Sequence, residues 1–359
     1  MDLSKKNNFD ILRLVASVFV IITHSYALSG KGESDYLSTL THGTLSFSHA
    51  GVAIFFVISG YLILQSALNT DTILSYFWKR TLRIFPGLLV VLLMCVFILG
   101  PIVTSLSISD YFSNADSYKH LYSAAIYNIS HLSLPGVFET NPYHAVNGSL
   151  WTLQYEFTCY IFIALIIFYF KSIDKIKPYL IVCLYALIIS IRIYLGERYF
   201  WFNYSSSFLA GMNIMYLYEW TIYFMSGMIL YLFGRKYNYM FLTLGIILSL
   251  YTILLFFDQI NFARITIYFL IPLIVFLIAF KVPQISVLSK YGDISYGMYI
   301  YAYPIQQSIL HYNPKITIEM FVVLSILFTI PFAMLSWHFV EKKSLKFKSV
   351  LSKINLVHE

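Results

Sequence analysis

The chain has 359 residues, 59% hydrophobic and only 11% charged, with a net charge of +7 and a mean hydropathy of +0.72. These proportions exclude a soluble globular domain and describe an all-α, polytopic membrane bundle, in which the position of each cation says more than the total, and nucleic acid is not an expected partner. Cys95, Cys159 and Cys183 stand in apolar runs without paired spacing, so neither a disulfide framework nor a metal site is expected, and all three read as buried thiols.

Runs of about 18 or more mainly apolar residues mark ten spans. They fall at 10–28, 48–68, 84–104, 149–170, 178–196, 215–233, 239–257, 263–280, 294–311 and 317–340. No repeat or low-complexity tract interrupts them, so residues 1–359 read as a single membrane domain. The first run, preceded by Lys5 and Lys6 and followed by the small residues of Ala27–Gly30, has the outline of a signal peptide, but Arg13 inside it argues for a retained span.

An even number of spans puts both termini on one side. On that side fall Lys5, Lys6, Lys79, Arg80, Arg83, Lys171, Lys175, Lys177, Arg235, Lys236, Lys281, Lys290, Lys342, Lys343, Lys346, Lys348 and Lys353, the bulk of the 24 basic residues. Lys31, Lys119, Arg192, Arg198, Arg264 and Lys315 lie on or near the other. The positive-inside rule therefore puts both termini in the cytoplasm. Segment 105–148, with Asp110, Asp116, His120, His131, Glu139 and His144, is then the one long outer connection, and a loop of that length points to function.

Three constellations carry chemistry. Arg13 and His24 are eleven residues apart, roughly 16 Å along a helix and nearly on one face, which Asp10 and Ser17 share. On a structural reading Asp10 and Arg13 mark the aqueous end and His24 is hydrogen-bonded inside the bundle. On a functional reading His24 is a base near neutral pH, because ionisable groups within spans tend to mark sites. In the second, Asp71 to Pro86, Asp71 or Thr70 would cap a short helix on which Arg80 and Arg83 share a face beside Lys79. The pair suits phosphate oxygens, and equally a topology signal touching anionic headgroups.

The third is NGSLWTLQYEF, residues 147–157. Asn147, Gly148 and Ser149 form a turn and cap, Trp151 and Tyr155 suit the membrane interface, and Glu156 sits about two turns into the fourth span. An acid at that depth needs a partner. His24 lies at comparable depth, and a purely structural ion pair is the rival reading. Weaker features are Gly51 and Gly60, which suggest close helix packing, Pro304, which is expected to kink the ninth span, and His338 and Glu341 near the end of the tenth. Sequons at Asn128, Asn147 and Asn203 matter only on a eukaryotic secretory route.

Taken in order, the Arg13 to His24 spacing, GVAIFFVISGYLI, KRTLRIFP, SLWTLQYEF, SYGMYIYAYP and FVEK resemble the acyltransferase-3 family, bacterial membrane proteins that O-acylate cell-surface carbohydrates. The resemblance runs from residue 9 to 342. Each motif alone is weak; the ordered set is specific. It implies that His24 is catalytic, that Arg13 is required with it, and that Arg80 and Arg83, with Lys79 beside them, serve an acyl-coenzyme A donor. It implies acetyl-coenzyme A as donor substrate and no permanently bound cofactor. The acceptor would be a sugar hydroxyl of a lipid-linked or exported polysaccharide such as O-antigen, capsule or exopolysaccharide, and the setting the bacterial inner membrane among its lipids.

Carried onto the spans, the donor phosphates would sit at Arg80 and Arg83 on the cytoplasmic side and the thioester would reach His24. His24 would deprotonate the acceptor with Glu156 orienting the ring, or would itself carry the acyl group. Both routes stay open. Arg13 would neutralise the donor, or a carboxylate such as Asp10 or Glu341. Two positions depart from the family: Ala302 stands where many relatives carry histidine, and Lys343 where the closing motif has proline, which puts the end of the tenth helix in doubt. A chain ending at Glu359 has no room for the SGNH-type domain fused to some relatives, so delivery would be direct or to a separate protein. The rival function is a transporter or flippase using Arg13, His24 and Glu156 as a proton path, against which stands the absence of two matching halves.

Overall fold

The ten apolar runs become ten long helices. In the computed structural model these are α1 (Phe9–Tyr26), α2 (Phe47–Leu68), α3 (Ile73–Met94), α4 (Thr152–Ser172) and α5 (Pro178–Phe202). There follow α6 (Ile214–Phe233), α7 (Met240–Phe256), α8 (Ile260–Phe280), α9 (Ser295–Tyr312) and α10 (Ile318–Ser336). The described residues are 7–127, 131–172, 178–202, 208–209, 212–234, 238–285 and 292–349. Lys5, Lys6, Lys175, Lys177, Arg235, Lys236, Lys290, Lys353, Asn128 and Asn203 lie outside them. Among the described residues six helical stretches are long and apolar enough to cross a membrane unaided, those of α1, α2, α3, α4, α8 and α10. Tyrosines with Glu219 in α6, and with Gln306 and Gln307 in α9, dilute the hydropathy of those two helices. The described strand content is one antiparallel pair, β1 (Phe208–Leu209) and β2 (Met212–Asn213).

Three local expectations are corrected. No separate short helix precedes the third span: Thr72, not Asp71 or Thr70, caps α3 by accepting from the Ser75 N–H at 3.2 Å, and the helix runs on through Pro86. It continues through a π turn, Cys95–Leu99, to Val103, so Lys79, Arg80 and Arg83 lie on the first turns of the span itself. Tyr155 is buried and its hydroxyl accepts from the Asn213 N–H at 3.0 Å, because α4 turns that face inward. Cys183 is exposed on α5, whereas Cys95 and Cys159 are buried; a thiol facing lipid loses little, the surroundings being apolar either way. Pro304 lies inside α9, which continues beyond it to Tyr312. Beyond α10 a π turn, Trp337–Glu341, leads into helical turns through Lys343 to Ser349, a path open to lysine where proline would remove a donor.

The chain divides into two compact units. The first comprises Met1–Ala16, Tyr36–Asp71 and Tyr155–Ser289; the second, Ser17–Asp35, Thr72–Gln154 and Lys290–Glu359. At the heart of the first, α2 packs on α6 with backbones in contact. A Cβ at Gly60 would fall on the carbonyl of Phe224, and one at Gly227 on that of Val57, so only hydrogen fits at either position. Phe56 stacks on Trp220 beside this crossing. Asn8 ties the start of α1 to the end of α8: its amide donates to the carbonyl of Ile278, in the last turn of that helix, at 2.9 Å and to that of Val282 just beyond it at 3.1 Å.

The second unit is assembled along α9. The Tyr296 hydroxyl donates to the Ile84 carbonyl of α3 at 2.8 Å, and that of Tyr299 to the Ser149 carbonyl at 2.7 Å. Asn147 caps the 3₁₀ turn Gly148–Trp151 with its oxygen, accepting from Ser149 Oγ at 2.8 Å, and donates its nitrogen to the Ile300 carbonyl at 2.8 Å. On its other side Gly297 lies against Ala333 of α10, where an added Cβ would come within 2.7 Å of the Ala333 Cα.

The crossing of α2 and α6 predicts that Gly60→Val or Gly227→Val destabilises the protein by about 1–3 kcal/mol or more. Gly245→Ala, where an added Cβ meets nothing within 4 Å, stays within about 1 kcal/mol of wild type. Thermal unfolding of the detergent-purified protein, followed by size-exclusion chromatography, reads both.

Candidate functional site

His24 stands in the last turn of α1, within the second unit, directly before a π turn, Ala27–Lys31. Its ring meets the ring of Tyr303 edge-on, with centroids 5.4 Å apart, and its Nδ1 is buried without a hydrogen-bond partner. Buried polar atoms are normally paired, so this nitrogen keeps hydrogen-bonding capacity that the described residues do not use. The turn around the histidine is held tightly. Thr23 donates to Asp35 at 2.6 Å, and Gln306 Nε2 donates to the Ile21 carbonyl and to Ser25 Oγ, both at 2.9 Å. The other side-chain atom of Gln306, Oε1, is buried and also unpartnered. Imidazole and amide oxygen thus supply unused polar atoms on neighbouring turns.

Ten residues before Tyr303, about 15 Å of helix, the same unit holds an ion cluster. Arg83 of α3 donates to Asp293 at 2.5 Å and pairs with Glu341 at 3.8 Å. Glu341 is buried, and its second oxygen accepts from Ser336 Oγ at 2.9 Å. Asp293 also receives the hydroxyl of Ser295. The turn that presents Asp293 depends on Gly292, whose φ of +84° suits glycine and whose missing Cβ would strike the Trp337 indole. The Arg80 guanidinium lies 5.9 Å from the Tyr76 ring centroid, with half-buried Lys79 beside it on α3.

The charge of Arg83 is thus met by two carboxylates within the chain. Glu341 belongs to this cluster, while Arg13 pairs with Asp10 of its own helix at 3.4 Å in the first unit. Ser17 is fully buried, and Trp151 is half-buried in the 3₁₀ turn. Ala302 is buried without a polar atom to offer.

Glu156 belongs to the first unit, where its carboxylate accepts from Tyr160 at 2.5 Å and from Ser59. The same unit contains a buried ionisable group that hydropathy scanning passes over. His49 Nε2 lies 3.0 Å from the Tyr223 hydroxyl and 3.7 Å from Glu219; Tyr268 donates to Glu219 at 3.5 Å and accepts from buried Arg192 at 3.3 Å. Glu219 and Arg192, single charges inside apolar runs, were the available signal. Asp293 at the mouth of the ninth span and the adjacent amides Gln306 and Gln307 within it were the equivalent signals for the second unit.

Comparison with known proteins bears on the chain as a whole. A family model described as an acyltransferase domain matches residues 6–338. An O-acetyl transferase of Shigella phage Sf6 is 30% identical over 347 residues, covering 95% of this chain and 96% of that protein. Nodulation protein 10 of Rhizobium leguminosarum bv. viciae is 34% identical over 166 residues, covering 44% of this chain and 42% of that protein. No solved structure matches.

Truncating Arg83 would strand two carboxylates at a site built to neutralise them. Arg83→Ala is expected to destabilise the protein by about 3–5 kcal/mol, and Arg83→Gln with Asp293→Asn to recover part of that. Lys79→Ala is expected to stay within about 0.5 kcal/mol of wild type. Thermal unfolding in detergent distinguishes these outcomes.

Proposed function

Because the chain belongs to the acyltransferase-3 family and is an acyltransferase of the membrane, we propose that it moves acetyl from cytoplasmic acetyl-coenzyme A to a sugar hydroxyl of a lipid-linked or exported surface polysaccharide. His24 takes the proton of the acceptor hydroxyl. The oxygen attacks the thioester carbonyl, the carbon–sulfur bond breaks, and the proton passes from the imidazolium to the leaving thiolate. What carries the proposal is the buried, unpartnered Nδ1 of His24, an imidazole with hydrogen-bonding capacity left for a substrate.

Arg80 and Lys79 are proposed to receive the donor's phosphates, since guanidinium and ammonium groups bind such oxygens through charge-assisted hydrogen bonds. Arg83 is proposed to act by holding Asp293 and Glu341 in place, given how completely its charge is met. Arg13 and Glu156 are proposed as residues on which transfer depends. The setting proposed is the bacterial inner membrane with both termini cytoplasmic, supported by the cation bias of the connecting segments.

The test is ester-linked acetyl on the surface polysaccharide of cells carrying wild type or variant. His24→Ala is expected to lower it at least about 100-fold, and Arg80→Ala with Lys79→Ala to raise the KM for acetyl-coenzyme A in membranes. Unchanged acetylation by a membrane-inserted His24→Ala protein overturns the assignment of His24. Normal acetylation with altered polysaccharide export would favour a transporter. A reporter active only in the cytoplasm, fused after Glu359, is expected to be active.

A further inference from the structure

The described residues of segment 105–148, within the second unit, surround a cleft of about 410 Å³, into which Asn114, Asp116, Lys119, His131, Glu139 and His144 present their side chains. That volume falls within the range of small-ligand sites. The lining is polar, and its charge discriminates. Lys119 is consumed by Asp116 at 2.6 Å, which leaves Glu139 as the uncompensated charge among these side chains. A neutral-to-acidic surface repels the phosphates of a nucleotide-bearing donor. Carboxylates, two imidazoles and an amide together both donate and accept, as the hydroxyls of an uncharged saccharide require.

The cleft walls are fixed before any ligand arrives. Thr104 Oγ1 donates to the Pro135 carbonyl at 2.8 Å, the Ser105 N–H to that of Gly136 at 2.9 Å, and Ser105 Oγ to Glu139 at 3.0 Å. Fully buried His120 donates from Nδ1 to the His131 carbonyl at 2.8 Å, and burial lowers its pKa although this hydrogen bond pulls the other way. Phe138 holds a φ of +59° with its ring fully buried. A left-handed backbone at a bulky residue persists only where the surroundings over-determine it, and such positions gather at functional sites.

The cleft is also tied to the turn of His24. Gln307 Nε2 donates to the carbonyls of Tyr143 and Ala145, both at 2.7 Å, and so grips the backbone on either side of His144. The preceding residue, Gln306, holds the turn containing His24. Two consecutive amides of α9 therefore set the cleft wall and the histidine turn in one register.

We propose that this cleft seats the carbohydrate acceptor, binding an uncharged saccharide unit through Glu139, His144 and their neighbours so that a hydroxyl is delivered towards His24; this rests on reading the chain as a carbohydrate O-acetyltransferase. The test uses the full-length protein in lipid nanodiscs, labelled acetyl-coenzyme A, and surface polysaccharide of the encoding cells de-esterified with mild alkali. Glu139→Gln and His144→Ala, both at exposed positions, are expected to raise the KM for polysaccharide about tenfold each, the loss of a hydrogen bond to a charged or polar group. The kcat and the KM for acetyl-coenzyme A are expected to stay within about twofold. Saturation-transfer NMR with the same polysaccharide is expected to give a binding signal with wild type and little with the double variant. Transfer by wild type with an unchanged polysaccharide KM in the double variant overturns the cleft assignment alone. A binding signal that wild type gives and the double variant does not, with no acetyl transfer even by wild type, overturns the transferase reading and leaves the cleft. Neither binding nor transfer with wild type overturns both.

Discussion

The pairing of Arg83 with Asp293 is the contact on which the second unit depends. A guanidinium on the first turns of a membrane-spanning helix is expensive unless its charge is met, and here it is met by a carboxylate 2.5 Å away and a second at 3.8 Å. Asp293 sits at the threshold of α9, so the ion pair fixes where that helix begins. Every later contact of α9 inherits its register from that point: Tyr296 on α3, Tyr299 on the 3₁₀ turn, Tyr303 on His24, Gln306 and Gln307 on the histidine turn and the outer segment. A shift of one residue would rotate the helix by about 100° and break all of them together.

The spans were legible because hydropathy is a local property, summed over residues that stay neighbours in the helix. The constellations were legible only in part. Asn147 and Ser149 read correctly as a cap because both partners lie within three residues, and the contact of Glu156 with Tyr160 is one helical turn long. The partner of Arg83 lies 210 residues away, and no periodicity connects the two. Thus a spacing that suits a phosphate clamp also suits an internal ion pair, and only the folded chain reveals the carboxylates beside Arg83. The start of α3 was misjudged for a related reason: the polar residues of its first turns lower the local hydropathy, although Thr72 caps the helix ahead of them.

Ionisable residues inside spans prove to be an incomplete guide to chemistry. Glu219 is buried deep in an apolar helix, yet two tyrosines and a histidine surround its carboxylate in the manner of a structural network. His24 is less buried than Glu219, but it retains an unpartnered nitrogen next to an unpartnered amide oxygen on the facing turn. Depth and charge alone therefore do not distinguish the two groups; their hydrogen-bond partners do.

Gly148 gives this distinction a geometric counterpart. A Cβ at that position would come within 2.8 Å of the Tyr303 ring, the same ring whose edge meets His24. The nearest aromatic wall of the imidazole is therefore set from behind by the absence of a side chain on a turn that never touches the histidine. Enlarging that residue by one methyl group would act as a wedge, transmitted through a rigid ring to the histidine turn of α1. The space beside the imidazole is in this sense written into a hydrogen atom, at a position that a survey confined to polar residues would pass over.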